Sequence, residues 1–557
     1  MCKKITLFLT LSLLFAFFII PINALARIYF FDNKLEITGK IEEKVLLKYH
    51  MKGYERGKGR HRYKANGGGM KNPSVFKTHL HIDALWHIYN KEGGTTLDFY
   101  TLWEWFYDFA PDIRGDIHRG MYSRDRNRYQ TPHGEEMVRE MYLNYVSGPW
   151  TLRVGKQMIV WGETSLKRTA DVINPLDIRS HMMGIDDWED FRKGQWMFRG
   201  FYQTSFKNDL TFEIIWIPYD IEVMSMPPEG SVFNTSYTMG FYSQMLRRWK
   251  YDEPKPRGLH DSQGGFRLRG YNWDWDWTLM WYNGFDATPI CVDWGQHGSG
   301  SYAPNTKSGW DFFNDNGLGG FNLFAGPYNS DSSAGIWKRP AFPTGRQFRY
   351  FRTDNFGATA TKYFYDVTLF GKRIPLEAIM RIEFSYKKDV HFNKQVDTGG
   401  QADQWAIIGR TKRDILGYAI EIDKEFMPWF ICNYNGQRSV NMTLGFFQDW
   451  IFNHDHNLYA MGYDRGYGDK NSTNFSLSIN TDWMDSELYT MCSYAYNTSG
   501  NGFFWAFLQY GPGDHWRFVV LPRITWSNVG TKNRKHSGYV ELSDSNNYVV
   551  FKIIYQF

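Results

Sequence analysis

The sequence predicts an all-β chain folded as a transmembrane antiparallel β-barrel of about sixteen to eighteen strands. Three observations predict it. Apolar and polar residues alternate with a period of two in about eighteen segments. The connections between those segments are alternately short and long, with Asn497 to Asn501 as the exception. The last segment, Tyr548 to Phe557, is itself an amphipathic strand with Val549, Phe551, Ile553 and Tyr555 on one face and Lys552 and Gln556 on the other.

In chain order, the amino terminus has the form of a secretory signal. Lys3 and Lys4 supply positive charge, Ile5 to Ile20 an apolar run, and Ala24-Leu25-Ala26 a small-residue cleavage site. Residues 1–26 are therefore expected to be removed and 27–557 to form the barrel, with the cell outer membrane as its location. Past that segment no run reaches the roughly 18 apolar residues of a spanning helix, and the mean hydropathy of −0.50 is too polar for a helical membrane protein. Cys291, Cys432 and Cys492 are odd in number and irregularly spaced, so they are no disulfide framework.

The expected strands are 35–48, 77–89, 96–108, 136–146, 150–161, 195–206, 209–218, 264–271, 275–284, 355–371, 376–387, 413–425, 438–450, 473–481, 486–496, 502–510, 515–526 and 548–557. Turns such as Ser147-Gly148-Pro149 and Asn272 to Asp274 carry the Gly, Pro, Asn and Asp that tight reversals need. The intervening connections, among them 49–76, 109–135, 162–194, 285–354 and 388–412, are long and polar. Short periplasmic turns and long extracellular loops are the bacterial barrel pattern. An even strand count returns Phe557 to the side where the first strand starts, so the last strand is expected to pair with the first.

Charge keeps to one face. Glu377, Arg381, Glu383 and Ser385 oppose Leu376, Ala378, Met380, Ile382 and Phe384; Arg517, Arg523 and Thr525 oppose Phe518, Val520 and Ile524. A charge facing lipid costs about 2–4 kcal/mol near the midplane, which explains the segregation. The inward charges are of both signs, so no single-sign selectivity ring is expected.

The densest local pattern is Arg153-Val154-Gly155-Lys156-Gln157, then Trp161-Gly162-Glu163, then Asp171-Val172-Ile173-Asn174-Pro175-Leu176-Asp177, preceded by Glu140-Met141-Tyr142. Arg153, Gly155 and Gln157 share an inward face; Leu152, Val154, Met158 and Val160 share the outward one, with Lys156 as an exception that can snorkel. With its hairpin the pattern resembles a family of Gram-negative outer-membrane, porin-like proteins catalogued as a domain of unknown function, most clearly over about 136–220. The resemblance implies an outer-membrane barrel and supplies no substrate.

The expected pore wall is Glu140, Arg153 and Gln157 with Arg381, Glu383, Arg517 and Arg523. The expected constriction is loop 162–194 folded inward, led by Trp161, Glu163, Asp171, Asn174 and Asp177. His79, His81, Asp83 and His87 share the inward face of the second strand and are expected to be wet lumen residues; no metal and no cofactor are expected. The basic run from Arg56 to Lys64 reads as a solvated outer loop. No Gly-x-Ser-x-Gly elbow, His-Glu-x-x-His or phosphate loop occurs, so no enzyme is expected.

The function expected is a porin-like channel for passive transport of small solutes. The expected partners are outer-membrane lipid and lipopolysaccharide, the solutes, and the barrel-assembly machinery through the strand ending in Phe557, with no nucleic acid. The alternatives are a structural barrel sheathing a protein or secreted polymer, and a carrier of apolar compounds.

Overall fold

A computed structural model describes residues 27–50, 73–91, 94–114, 123–165, 169–181, 188–205, 209–225, 258–286, 348–369, 372–397, 405–427, 439–455, 470–498, 501–526 and 547–557, with short pieces at 167, 186, 251–252, 290–291 and 458–459. The signal segment 1–26 and the basic run Arg56 to Lys64 lie outside the described residues.

Twenty strands make one sheet, of which Ile28–Phe30 and Leu458–Tyr459 are short additions; the other eighteen form a closed antiparallel barrel. They are β1 Leu35–His50, β2 Val75–Lys91, β3 Thr95–Asp108, β4 Val138–Ser147, β5 Trp150–Gln157, β6 Gln195–Gln203, β7 Thr211–Ile217, β8 Gln263–Asn272 and β9 Trp275–Phe285. Next come β10 Arg352–Leu369, β11 Lys372–Asp397, β12 Trp405–Phe426, β13 Val440–Ile451, β14 Asn471–Trp483, β15 Leu488–Asn497, β16 Asn501–Tyr510, β17 Trp516–Trp526 and β18 Asn547–Gln556. Each pairs with its sequence neighbours, and β1 closes the ring on β18 with Val45 opposite Phe551. Closure leaves no sheet edge, which is what lets strands cross lipid.

The two faces follow the alternation. Leu152, Val154, Ile214, Phe384, Leu444, Phe475 and Phe551 are exposed on the outer surface. Tyr89, Tyr145, Trp150 and Tyr202 gather at the short-turn end and Trp103, Trp105, Trp196 and Trp216 at the long-loop end. Two aromatic girdles flanking an apolar band are the mark of a membrane barrel.

Three departures from the expected elements have local causes. Connection 388–412 is largely strand: β11 and β12 continue past a bulge between Lys387 and Val390, and leave only 398–404 between them. There Val390, Phe392 and Ile415 bury themselves with Ile451 and Leu458, so the pair has an apolar reason to go on. Connection 109–135 contains the helices Ala110–Ile113 and Ser123–Gln130. Tyr129 and Ala110 pack on the inward-facing Leu46, Leu521, Tyr548 and Val550, so this connection also turns into the barrel.

The third is in β5, which ends at Gln157 and not at residue 161. The N–H of Met158 donates to Glu140 Oε1 (2.7 Å) and that of Ile159 to Asn174 Oδ1 (2.7 Å), so side chains take the donors that a ladder would use. Just before this exit Gly155 has φ +138°, and a Cβ there would lie 2.1 Å from the Met141 carbonyl oxygen. Gly155→Ala is expected to destabilise the barrel by on the order of 2–3 kcal/mol. The urea midpoint of the refolded protein, followed by tryptophan fluorescence, checks it; an unchanged midpoint would refute the steric account.

Candidate functional site

The chain leaving β5 does not rejoin the sheet until Gln195. Its described residues, 158–165, 167, 169–181, 186 and 188–194, are tied to the inner wall at three places around the ring.

The first is β6 to β9. Ile159, Trp161, Ala170 and Ile173 pack on Met197, Ile215, Ile217, Met280 and Tyr282, which face inward. Trp161 is buried and its Nε1 donates to Glu213 Oε1 (3.3 Å). Glu213 also pairs with Arg199 and Arg267, both at 2.7 Å. The inward rows here were expected to be polar, yet they carry this apolar patch; the segment covers it, so the patch is not left facing water.

The second is β10 to β13. Glu383, fully buried, accepts the N–H groups of Glu163, Thr164 (2.6 Å) and Ala170 (3.2 Å). Glu421 accepts the Ser165 N–H (3.1 Å) and hydroxyl (2.6 Å). Glu163 in turn accepts from the hydroxyls of Thr359 (3.0 Å) and Thr361. Lys167 pairs with Asp449 at 2.5 Å.

The third is β18 with β1 to β4. Lys44 pairs with Asp186 and Lys77 donates to the Ser180 carbonyl (3.1 Å). Arg139 donates to the carbonyls of Glu189 (2.8 Å), Asp190 (2.9 Å) and Arg192. Lys44 and Lys552 stand directly opposite each other in the β1–β18 register. Glu42 pairs with both, at 2.9 and 3.3 Å, and Asp186 supplies the second negative charge. Burial pushes the Asp186 carboxyl up, but Lys44, His181, Lys77 and Lys552 together outweigh it and hold the group well below the usual range.

Counted around the ring, β2 and β11 are nine strands apart in a barrel of eighteen, so Lys77 and Glu383 stand on opposite sides of the lumen. One stretch of chain touches both.

The segment is braced internally. Asp171 pairs with Arg192 (2.7 Å). Asn174 donates to the carbonyls of Gln157 (3.3 Å) and Lys193 (2.7 Å). Asp177 pairs with Arg179, which also holds Glu136 at 3.0 Å. Burial raises the Asp177 carboxyl and Arg179 outweighs it, so the group sits well below its ordinary value.

The remaining residues singled out from the sequence are placed as follows. Gln157 is buried and donates to the carbonyls of Gly155 (3.3 Å) and Met197 (3.2 Å). Arg153 stacks 4.4 Å over the Tyr142 ring and donates to Asn144 (3.2 Å). Arg381 pairs with Glu421 (3.0 Å) and Asp423. Arg523 is buried beside Tyr548, donating to its hydroxyl at 2.9 Å. Arg517 differs in setting: it donates to the carbonyls of Gly513 and Trp516, both at 2.8 Å, at a short turn. The structure thus brings Glu140, Gln157, Trp161, Glu163, Asp171, Asn174 and Glu383 together, and leaves Arg517 outside that group.

Sequence reasoning missed Arg139. Period-two counting sets it on the lipid side with Met141 and Leu143. A register shift opposite Leu102 and Trp103 turns it inward instead, where its Nε meets Glu104 Oε2 at 2.9 Å. The signal was present: a charge on a lipid face is costly, so an arginine there marks an irregularity.

Over residues 75–557 the chain matches the family described as "Protein of unknown function (DUF1302)". No curated protein matches it. Solved structures similar to it include Salmonella typhi OmpF in complex with daunomycin (8% identity, TM-score 0.39, 95% of this chain and 100% of that one). Acinetobacter baumannii OccAB3 is another (8%, 0.44, 94% and 99%). A third is a BenF-like porin from Pseudomonas fluorescens Pf-5 (7%, 0.44, 94% and 98%).

Proposed function

We propose that this chain, which belongs to the DUF1302 family of proteins of unknown function, is an outer-membrane channel for passive movement of small polar solutes, with the segment 158–194 as its constriction. The observation that carries the reading is the span of that segment from Glu383 on β11 to Lys77 on β2, half a ring apart. Eighteen strands can enclose an aqueous channel, and a strap across it sets the size of what passes. In this reading the short turns face the periplasm, the long loops face outward among lipopolysaccharide, and the closing strand with Phe557 is what the assembly machinery reads.

The lumen wall carries both signs, with Glu213, Glu383 and Glu421 against Arg199, Arg267 and Arg381. Glu213 and Glu421 are paired with these arginines on neighbouring strands, so the wall presents mixed charge and no ring of one sign. A barrel that sheathes a polymer or protein needs a clear bore, which the strap removes. A carrier of apolar compounds needs an open apolar lining, whereas Met197, Ile215 and Met280 are covered.

The test is a planar-bilayer recording of the refolded protein in salt, then with neutral, cationic and anionic solutes. Discrete conductance steps, smaller than those of an unobstructed barrel of this strand number, are expected. Absence of any steps in protein shown to be folded and inserted would overturn the channel reading.

A further inference from the structure

Three donor groups meet on the inner wall where β2 faces β3. His79 and His81 are two residues apart on β2, so their side chains share the inward face. Glu104 stands directly opposite His81 in the β2–β3 register. One ligand atom from each of the three lies within 4.8 Å of the other two, and all three side chains are buried. His79 Nε2 is 2.8 Å from Glu104 Oε1, while it is the opposite ring nitrogen, Nδ1, that lies 3.2 Å from His81 Nε2. Ligands around a tetrahedral ion with bonds of about 2.0–2.1 Å are roughly 3.3 Å apart, so rotation of the His79 and His81 rings from their hydrogen-bonded positions is what brings one nitrogen of each, with Glu104, onto a single ion. We infer that His79, His81 and Glu104 form a binding site for one divalent transition ion of the zinc type.

The surroundings suit an ion. Glu104 is oriented by Arg139, whose Nε takes Oε2 at 2.9 Å and leaves Oε1 toward the histidines. The Phe106 ring stands edge-on to His79 at 5.9 Å and forms an apolar wall. Such outer contacts fix ligand orientation and raise affinity. The neighbouring cations are engaged elsewhere: Lys77 reaches the Ser180 carbonyl, and Lys44 pairs with Glu42 and Asp186. There is a way in. A cavity of about 400 Å³ is lined by His81, Glu104, Arg139, Asp190, Asp514 and Phe557 and so reaches the short-turn end of the barrel.

Two imidazoles and a carboxylate with one position open to a cavity are a ligand set that zinc, cobalt(II) and nickel(II) accept. Each imidazole binds as the neutral ring through one nitrogen and keeps its proton on the other. Asp190 of the inward segment lies beside the three groups, its Oδ1 3.6 Å from His81 Nε2. A bound ion therefore sits between wall and strap. Without an ion His81, His79 and Glu104 form a hydrogen-bonded chain, with Asp190 3.6 Å from its His81 end, and the experiment separates the two.

Mature protein refolded in detergent and stripped with chelator is titrated with zinc by calorimetry and with cobalt(II) by visible absorption. One equivalent with micromolar or tighter affinity is expected, with the visible bands of a low-coordinate cobalt site. The His79→Ala and His81→Gln variants are each expected to weaken that binding by more than the roughly 10–100-fold that loss of an outer contact costs. Heat-shifted gel mobility establishes that each variant is folded. No binding by the intact protein, or binding unchanged in both folded variants, overturns the site and leaves the hydrogen-bonded chain. Neither readout depends on conduction, so this result and the channel recording stand or fall separately.

Discussion

Deletion of residues 163–190 is expected to raise single-channel conductance severalfold and to weaken discrimination among solutes by size. The segment touches wall residues nine strands apart, from Glu383 and Glu421 on one side to Lys44 and Lys77 on the other. Eighteen strands otherwise leave an aqueous bore. The ring needs no part of the segment to close, because β5 and β6 pair with each other over Trp150–Gln157. A folded barrel should therefore survive the deletion, at the cost of opening Met197, Ile215 and Met280 to water and of taking Asp186 from Lys44, which water entering the bore can then solvate. Bilayer recordings of wild type and deletion, refolded side by side, decide it. Equal conductance and equal selectivity would sink the constriction.

The second large effect is expected from Asp186→Asn. Lys44 and Lys552 face each other across the closing seam, and Glu42 alone cannot balance both. All four side chains are nine-tenths or more buried. Removing one partner of a buried charge pair leaves an uncompensated ion and typically costs about 3–5 kcal/mol. The variant should unfold at lower urea concentration and release the strap from the seam. Adding Lys552→Met should recover most of the loss, because it leaves one acid, Glu42, for one lysine, Lys44. Urea titrations of wild type, single and double variants test the account. A single variant as stable as wild type, or no recovery in the double, would show that the charges are solvated and not coupled.

Much of the fold was legible from local pattern. Phe384, Phe475 and Phe551 announce the lipid face because a strand repeats every two residues, and Gly148-Pro149 announces a turn because few residues reverse a chain so tightly. The pairing of β18 with β1 followed from parity. Less of the site was legible. Glu163, Asp171, Asn174 and Asp177 stood out as a motif, but nothing local said that Glu163 would meet Thr359 and Thr361, or that Glu383 would collect three N–H groups of the strap. The inward helix Ser123–Gln130 was also invisible, since its sequence is polar apart from Tyr129, which is buried against the apolar wall.

The sequence by itself determined a barrel, its faces, its strand order and the way it closes, because these depend on periodicity and on turns between neighbours. Only the tertiary structure decided which inward side chains touch. Period two says that Lys44, Lys77, Glu383 and Glu421 point inward, but not what lies across the bore from each. That depends on where a long connection is laid. Its path is set by the apolar patch of β6 to β9, the backbone donors gathered by Glu383, and the charge that Asp186 brings to two facing lysines. Each of these is a contact between residues far apart in the chain, which no local pattern records.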